Sequence, residues 1–413
     1  MAVIRPFQAV RPAAEFAESV ISLPYDVMNR NEAADMAQDN PYSFLHICRS
    51  EIDLPEIADP YDDSVYKKAR ENFESFLSSG VFKRDDKPMY YIYAQVMDGR
   101  IQTGLVACAS IDDYLANVIK KHEYTRYEKE LDRIRHFDVC NANTEPVFLT
   151  YRDIPEMRAI INSWISKHNP QNDITTSDGI QHILWVLNDD AAIARITELF
   201  SKVGELYIAD GHHRTASAVK VGQKRREMNP GYTGDEEFNY FMAVIFPDSD
   251  LKIFDYNRVV KDLNGMSEAE FLVEVGKVFS VEEMPEGPYK PEYKHSFGMY
   301  LDKKWYKLEP DPAKFDEGDV IKSLDVSILQ DLLLGPILGI EDPRMDKRID
   351  FIGGIRGLKE LERRVGADMT VAFALYPVSI ADLLAVSDRD QVMPPKSTWF
   401  EPKLGSGLFM HEL

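Results

Sequence analysis

Cysteine is scarce in this chain: its 413 residues include only Cys48, Cys108 and Cys140. The count is odd and no pair has CxxC spacing, which makes a poor disulfide framework. No stretch approaches the roughly 20 apolar residues of a spanning helix. The opening "MAVIRPFQAVRP" holds no run long enough for a signal peptide. The expectation is a cytoplasmic protein without a membrane partner. Positive charge is also in short supply, with 48 Lys and Arg against 69 Asp and Glu and a net charge of -21. Such a field repels polyanions and argues against a nucleic-acid partner. A small anionic ligand stays compatible, because a few local cations outweigh a distant field. There is no Gly-Lys-Ser/Thr phosphate loop, no internal repeat and no low-complexity linker.

What is present is ordinary for a globular enzyme or binding protein. Hydrophobic residues make up 44% and charged residues 28%, enough for a sizeable core, and the length predicts two domains. "DSVYKKARENFESFLSSG" places Val65, Ala69, Phe73 and Phe76 at helical spacing, with Gly80 as the stop. Asn29 or Asn31 caps a helix over "EAADMAQ". "MYYIYAQVMDGRIQTGLVACASI" reads as a hairpin turning at Asp98-Gly99, and "YFMAVIFPDSDLKIFDYNRVV" as a second one. A polar helix is predicted from Ala116 to Phe137. Strands over "PVFLTY", "QHILWVLN" and "ELYIAD" alternate with helices over "MRAIINSWISKH", "DDAAIARITELF" and "TASAVKVGQKRREM". The mixture predicts an α/β to α+β fold of mixed sheets with helices. "DLNGMSEAE" marks the expected boundary between an N-terminal α/β region, residues 1–265, and a smaller C-terminal α+β region, residues 266–413.

The densest chemistry lies in "ELYIADGHHRTASAVK", Glu205 to Lys220. A buried strand that enters a helix through Gly211 aims free backbone N–H groups at one spot, and the helix dipole adds positive potential there. Arg214 can fork onto phosphate oxygens. Asp210 can cap the helix, hold a magnesium ion, or both. His212 or His213 can donate to phosphate or move a proton. A capped helix with two solvated histidines is the bland alternative. Zinc fits less well, because adjacent histidines splay apart on a helix.

A second polar cluster spans "VIKKHEYTRYEKELDRIRHF", Val118 to Phe137. On a helix, His122, Arg126, Lys129 and Arg133 would share one cationic face, with Glu123, Tyr127 and Glu130 beside it. An exposed helix with internal ion pairs explains the same residues. The sequel "NANTEPVF" leads Asn141, Asn143 and Thr144 into a buried strand, and such loops often carry ligand contacts.

These clusters carry a resemblance. "DGHHR" between a strand and a helix resembles the phosphate-binding turn of the ParB/sulfiredoxin superfamily. Within it, the free-serine kinases are similar in having "DGHHR" with an upstream "HE", here His122-Glu123. That likeness covers about residues 115–225, with nearly ninety residues between the two motifs. "RPFQAVRP", "PYDVMN", "NPYSFLH", "IKKHEYTR", "NTEPVFL", "ADGHHRTASA", "YNRVV" and "MPPKSTWFEPKLGSGLF" resemble, nearly end to end, the blocks of the DUF1015 family, which names no reaction. ParB's DNA-binding region is not evident, and His212 stands where sulfiredoxins carry their cysteine, so DNA partitioning and sulfinic acid repair are not implied.

The kinase resemblance implies a small-molecule phosphotransferase with ATP or ADP and Mg2+ as cofactors. Gly211, His212, His213, Arg214 and Thr215 would hold the donor phosphates, and Asp210 the metal. Glu123 would be the general base, with His122, Asp210 and His212 beside it as catalytic groups. Lys120, Lys121, Arg126, Arg133, Asn143 and Thr144 would bind an anionic or zwitterionic acceptor, with free serine the natural candidate. A phosphatase acting on phosphoserine or a similar metabolite, and a non-catalytic nucleotide-binding protein, are the alternatives. Elsewhere, the glycines of "FIGGIRGLKELE" read as a helix start, and Asn257 and Arg258 as structural pairing. The tail from Met393, "MPPKSTWFEPKLGSGLF", is expected to pack, with Lys396, Ser397 and Thr398 weighed as ligand contacts against satisfied loop residues. "PYDV" and "NPYSFLH" are short loops that could line the pocket.

Overall fold

Two residues set the first sheet in motion: Asp98 and Gly99 have φ of 52° and 77°, the paired positive values a tight hairpin turn requires. They join Tyr90–Met97 to Arg100–Ser110 in antiparallel register, with Met97 opposite Arg100. The computed structural model describes residues 1–57 and 59–413. The chain divides into two units, Met1–Leu251 with Pro402–Leu413, and Lys252–Glu401.

In the first unit the hairpin belongs to a nine-stranded mixed sheet. Its order is Ile119–Lys120, Leu206–Asp210, Val147–Tyr151, Tyr240–Pro247, Arg100–Ser110, Tyr90–Met97, Gln181–Leu187 and Asn172–Thr175, with Ile4–Arg5 pairing Arg100–Ser110 off this path. Tyr240–Pro247 runs parallel to Val147–Tyr151, and Leu206–Asp210 parallel to Ile119–Lys120. Val147–Tyr151 is buried at every position, which explains its unbroken apolar run in place of alternation. Helices Pro155–Lys167, Asp190–Phe200 and His212–Met228 bury residues such as Met157, Ile196 and Val221 in the same core.

A smaller core gathers around Phe44, Phe73, Phe76 and Phe82. Asn29 caps the Arg30–Ala37 helix in a reciprocal box with Glu32. The Asp63–Ser78 helix buries Val65, Ala69, Phe73 and Phe76, and Gly80, at φ 81°, follows its end.

Two expectations are corrected. The helix predicted from Ala116 begins at Tyr127 and runs to Cys140. Ile119 and Lys120 are instead drawn into the sheet beside Leu206 and Tyr207, leaving His122 and Glu123 on a loop. Burial of a sheet edge outweighs the helical spacing of exposed charges, so the expected cationic face does not form. The second hairpin is also absent. Tyr240–Pro247 pairs with Arg100–Ser110 and Val147–Tyr151, whereas Tyr256–Val260 belongs to the other unit.

The second unit is built on a six-stranded antiparallel sheet ordered Phe279–Met284, Lys304–Pro310, Phe297–Leu301, Val371–Leu375, Tyr256–Val260 and Ile349–Gly353. Ser267 and Glu270 cap the Glu268–Val275 helix, and Leu361 of the Gly357–Ala367 helix sits in this unit's core. A Cβ on Gly353 or Gly354 would meet Trp399 or Asp255, so those glycines serve packing beside the helix start. Asn257 and Arg258 do pair structurally: Asn257 Oδ1 accepts from Leu375 N at 2.9 Å, and Arg258 Nη2 donates to Lys396 O at 3.0 Å. Ser397 Oγ donates to Pro394 O at 2.6 Å. Among the described residues, no helix is long and apolar enough to cross a membrane.

Candidate functional site

The site begins with an irregular strand end. Leu206–Asp210 is an apolar strand whose antiparallel pairing with Val147–Tyr151 shifts between Ile208 and Asp210. Such a shift re-aims the residues that follow it. Gly211 then takes φ 88° and ψ 33°, and the His212–Met228 helix starts with no side-chain cap. Asp210 therefore does not cap, and the N–H groups of the first turn have no acceptor within the helix. Thr215, fully buried, donates its hydroxyl to Gly211 O at 3.0 Å.

Gly211 is required twice. Its φ lies in the region that L side chains avoid, and a Cβ there would stand 3.0 Å from Arg214 Nε. The Arg214 side chain curls back under the turn. Its Nη1 donates to Pro146 O at 2.8 Å, and its Nη2 meets Asp210 Oδ2 at 3.4 Å. Arg214 is 2% exposed, and its Nε is buried without a hydrogen-bond partner.

Asp210 is the half-buried acid of the turn. Lys403, from the far end of the chain, places its Nζ 3.6 Å from Asp210 Oδ2. Burial pushes the Asp210 carboxyl up, but Lys403, Arg214 and the Gly211 N–H hold it at about 2. It is ionised at neutral pH.

The loop carrying Glu123 closes over the turn. His122 N donates to His212 Nε2 at 3.4 Å, and Arg126 N donates to His213 Nε2 at 2.9 Å. Two rings that accept at Nε2 carry their proton on Nδ1 when neutral. Neutrality follows from burial, which lowers His122 to about 4 and pushes His212 well down and His213 down. The His122 and His212 rings meet edge to face, 4.5 Å between centroids. Glu123, half-buried, follows His122 directly.

The helix Tyr127–Cys140 then packs beside His212–Met228. Ser217 Oγ donates to Glu130 O at 2.9 Å, Lys220 pairs with Glu130, and Lys224 pairs with Asp138 at 2.6 Å. Small residues at Ala216, Ser217 and Ala218 allow this approach.

The expected acceptor-binding residues divide. Lys121 lies over the Tyr114 ring, 4.3 Å from its centroid, and Arg126 is exposed at the start of its helix. The others are held by the protein. Lys120 is buried near Glu205 at 3.6 Å. Arg133 is buried between Asp132, at 2.9 Å, and Glu145, at 3.7 Å, and stacks on Tyr25. It has a structural pairing in place of the ligand-facing position expected on a cationic helix. Asn143 pairs with His411 in a short strand, and Thr144 Oγ1 lies 3.4 Å from His136 Nδ1.

Sequence reasoning missed Glu145 and Lys403. Glu145 is fully buried, accepts at Oε1 from Tyr25 N at 3.1 Å and Ser406 Oγ at 2.9 Å, and has its carboxyl raised by burial. It thus joins "PYDV", "NTEP" and the tail behind Arg214. Both residues sit inside the quoted blocks "NTEPVFL" and "EPKLGSGLF", the only signal available.

Among the described residues no group of three or more His, Cys, Asp and Glu is placed to hold a metal. Asp210 alone fits Mg2+ only in the usual phosphate-assisted manner, with one carboxylate and the remaining ligands from phosphate and water.

The structure is similar to that of a free serine kinase in complex with AMP, with 16% identity over 78% of this chain and 93% of the other and a TM-score of 0.37. It is similar to a conserved hypothetical protein from Pyrococcus furiosus at 14% identity, 73% and 95% coverage and TM-score 0.35. It is also similar to SbnI with a C-terminal truncation from Staphylococcus aureus at 10%, 74% and 87%, and 0.39. Likenesses of this degree carry no argument about activity. No curated protein matches the chain. The family described as "Protein of unknown function (DUF1015)" matches residues 4–327, and the chain belongs to that family.

Proposed function

We propose that the protein is a small-molecule phosphotransferase with a nucleotide phosphate donor bound at the Gly211 turn and an acceptor hydroxyl beside Glu123. One observation carries this reading. Two motifs nearly ninety residues apart are clasped by backbone-to-imidazole bonds, His122 to His212 and Arg126 to His213. In-line transfer requires a base and a phosphate site to adjoin, and this clasp between the two segments supports that reading.

The His212 helix start supplies backbone N–H groups and positive potential for the phosphates. Arg214 adds its charge from behind the turn. His212 and His213 orient the loop by accepting at Nε2 and, when neutral, offer Nδ1 as a donor. Glu123 takes the proton of the acceptor hydroxyl as its oxygen bonds to the transferred phosphorus and the bond to the donor's leaving oxygen breaks. Mg2+, held by Asp210 and the donor phosphates, would neutralise charge on the transferred group. Lys121 and Arg126 are the cations left to meet a carboxylate, which favours an amino acid such as free serine as acceptor.

The test is product analysis by phosphorus NMR. Protein is incubated with magnesium and ATP, ADP or phosphoserine, with and without serine. Serine-dependent consumption of a nucleotide phosphate supports the proposal. Phosphate released from phosphoserine alone would make the protein a phosphatase. Nucleotide binding without turnover would leave a binding protein in which Glu123 is dispensable.

A further inference from the structure

The tail returns to the first unit as a strap, Pro402–Leu413, beyond the family's matched residues. Every part of it is fixed. Gln95 Nε2 donates to Lys403 O at 2.7 Å, and Gly405 N to Tyr93 Oη at 3.1 Å. Ser22 and Ser406 exchange backbone bonds of 3.1 and 2.9 Å. A Cβ on Gly405 would come 2.8 Å from Ile21, and one on Gly407, whose φ is 89°, would come 2.8 Å from Phe44. Leu408, Phe409 and Met410 are buried, and His411 pairs with Asn143. A segment so constrained delivers its side chains to set places.

One of those side chains is Lys403, 14% exposed, with Nζ 3.6 Å from Asp210 Oδ2. The turn it reaches has a glycine-opened helix start of 17 residues and a fully buried guanidinium whose Nε lacks a partner. Both features point to an anion. Arg214 is already tied to Pro146 O and Asp210, which leaves room at the turn for a second cation to meet a bound phosphate. An ammonium has three donors and can serve Asp210 and a phosphate oxygen together.

We propose that Lys403 is a phosphate-binding residue of the nucleotide site, carried to the Gly211 turn by the C-terminal strap. This rests on the nucleotide reading above and makes the strap part of the site.

The experiment measures ADP affinity by calorimetry in EDTA, so that any metal contact of Asp210 drops out. Wild type is compared with Lys403→Met, Lys403→Arg, Arg214→Ala and the double variant Asp210→Asn/Lys403→Met, each checked for folding by thermal melting. The expected result is about tenfold or greater weakening in Lys403→Met, near-wild-type affinity in Lys403→Arg, and no recovery in the double variant. Wild-type affinity in Lys403→Met while Arg214→Ala loses binding would overturn the role of Lys403 and spare the nucleotide reading. Recovery in the double variant would also overturn it, by showing that Lys403 only neutralises Asp210. A folded wild type with no affinity for ADP, with or without magnesium, would remove both. Should the Met variant not fold, Lys403→Gln carries the same comparison.

Discussion

Arg126 donates its backbone N–H to His213 Nε2 at 2.9 Å, although the two residues lie 87 positions apart. The bond needs a neutral imidazole, so the clasp between the Glu123 loop and the Gly211 turn is sensitive to protonation.

Acid should therefore loosen the site before it dissolves the fold. Buried His122 and His182 are lowered to about 4, and His136 to about 3, with His212 well down. A histidine depressed in the folded state contributes stability that is complete above its unfolded value near 6.5 and is lost as pH falls towards the folded value. Stability should decline from about pH 6.5 to 4, with His122 contributing at most about 3 kcal/mol. Urea denaturation across that range checks the slope, and His122→Gln should flatten it. His46, raised chiefly by its bond to Asp53, acts oppositely, with stability lost as pH rises through its folded value. Asp210, depressed to about 2, adds its own loss only below about pH 4.

Gly211→Ala should be costly out of proportion to one methyl. The positive φ alone costs about 1–2 kcal/mol, and the new Cβ would press on Arg214 Nε at 3.0 Å. The expected outcome is a lower urea midpoint together with lost ADP binding. A variant that binds normally would show that the turn tolerates a side chain.

Glu145→Ala should destabilise by about 3–5 kcal/mol, the range for removing one partner from a buried ion pair. Arg133 would keep Asp132, which favours the lower end, while Tyr25 and Ser406 would lose their acceptor. Glu145→Gln should cost less, because its amide oxygen can still accept. Equal melting temperatures for the two variants would contradict this.

Phe409→Ala tests whether the tail is structural. The ring is buried, with centroids 5.3 Å from Tyr91 and 6.1 Å from Tyr93. A loss of about 3–5 kcal/mol is expected in chemical denaturation, and a change under 1 kcal/mol would mean that the strap is only loosely attached.

Much of this was legible in the chain. Asp98-Gly99, the Asn29 cap and the apolar stripe of Asp63–Ser78 are local signals, and local physics decided them. Gly211 was legible because a glycine between an apolar strand and a helical pattern has few other uses. The stretch before Tyr127 was not, since His122, Arg126, Lys129 and Arg133 have helical spacing whether or not a helix forms. Parallel pairing of Ile119–Lys120 with residues nearly ninety positions away decided it. Tyr240–Pro247 was misread as half a hairpin for the same reason: its partners are distant strands. Glu145 and Lys403 gain meaning only when the tail closes on the turn, and no periodicity encodes that closure.

The most direct test of the central claim compares affinity with chemistry in Glu123→Gln. ADP affinity is measured by calorimetry and serine-dependent phosphate transfer by phosphorus NMR on the same preparation, with Arg214→Ala beside it. Glu123→Gln should bind ADP like wild type and lose transfer by at least about a hundredfold, while Arg214→Ala loses binding. Transfer undiminished in Glu123→Gln would contradict the claim.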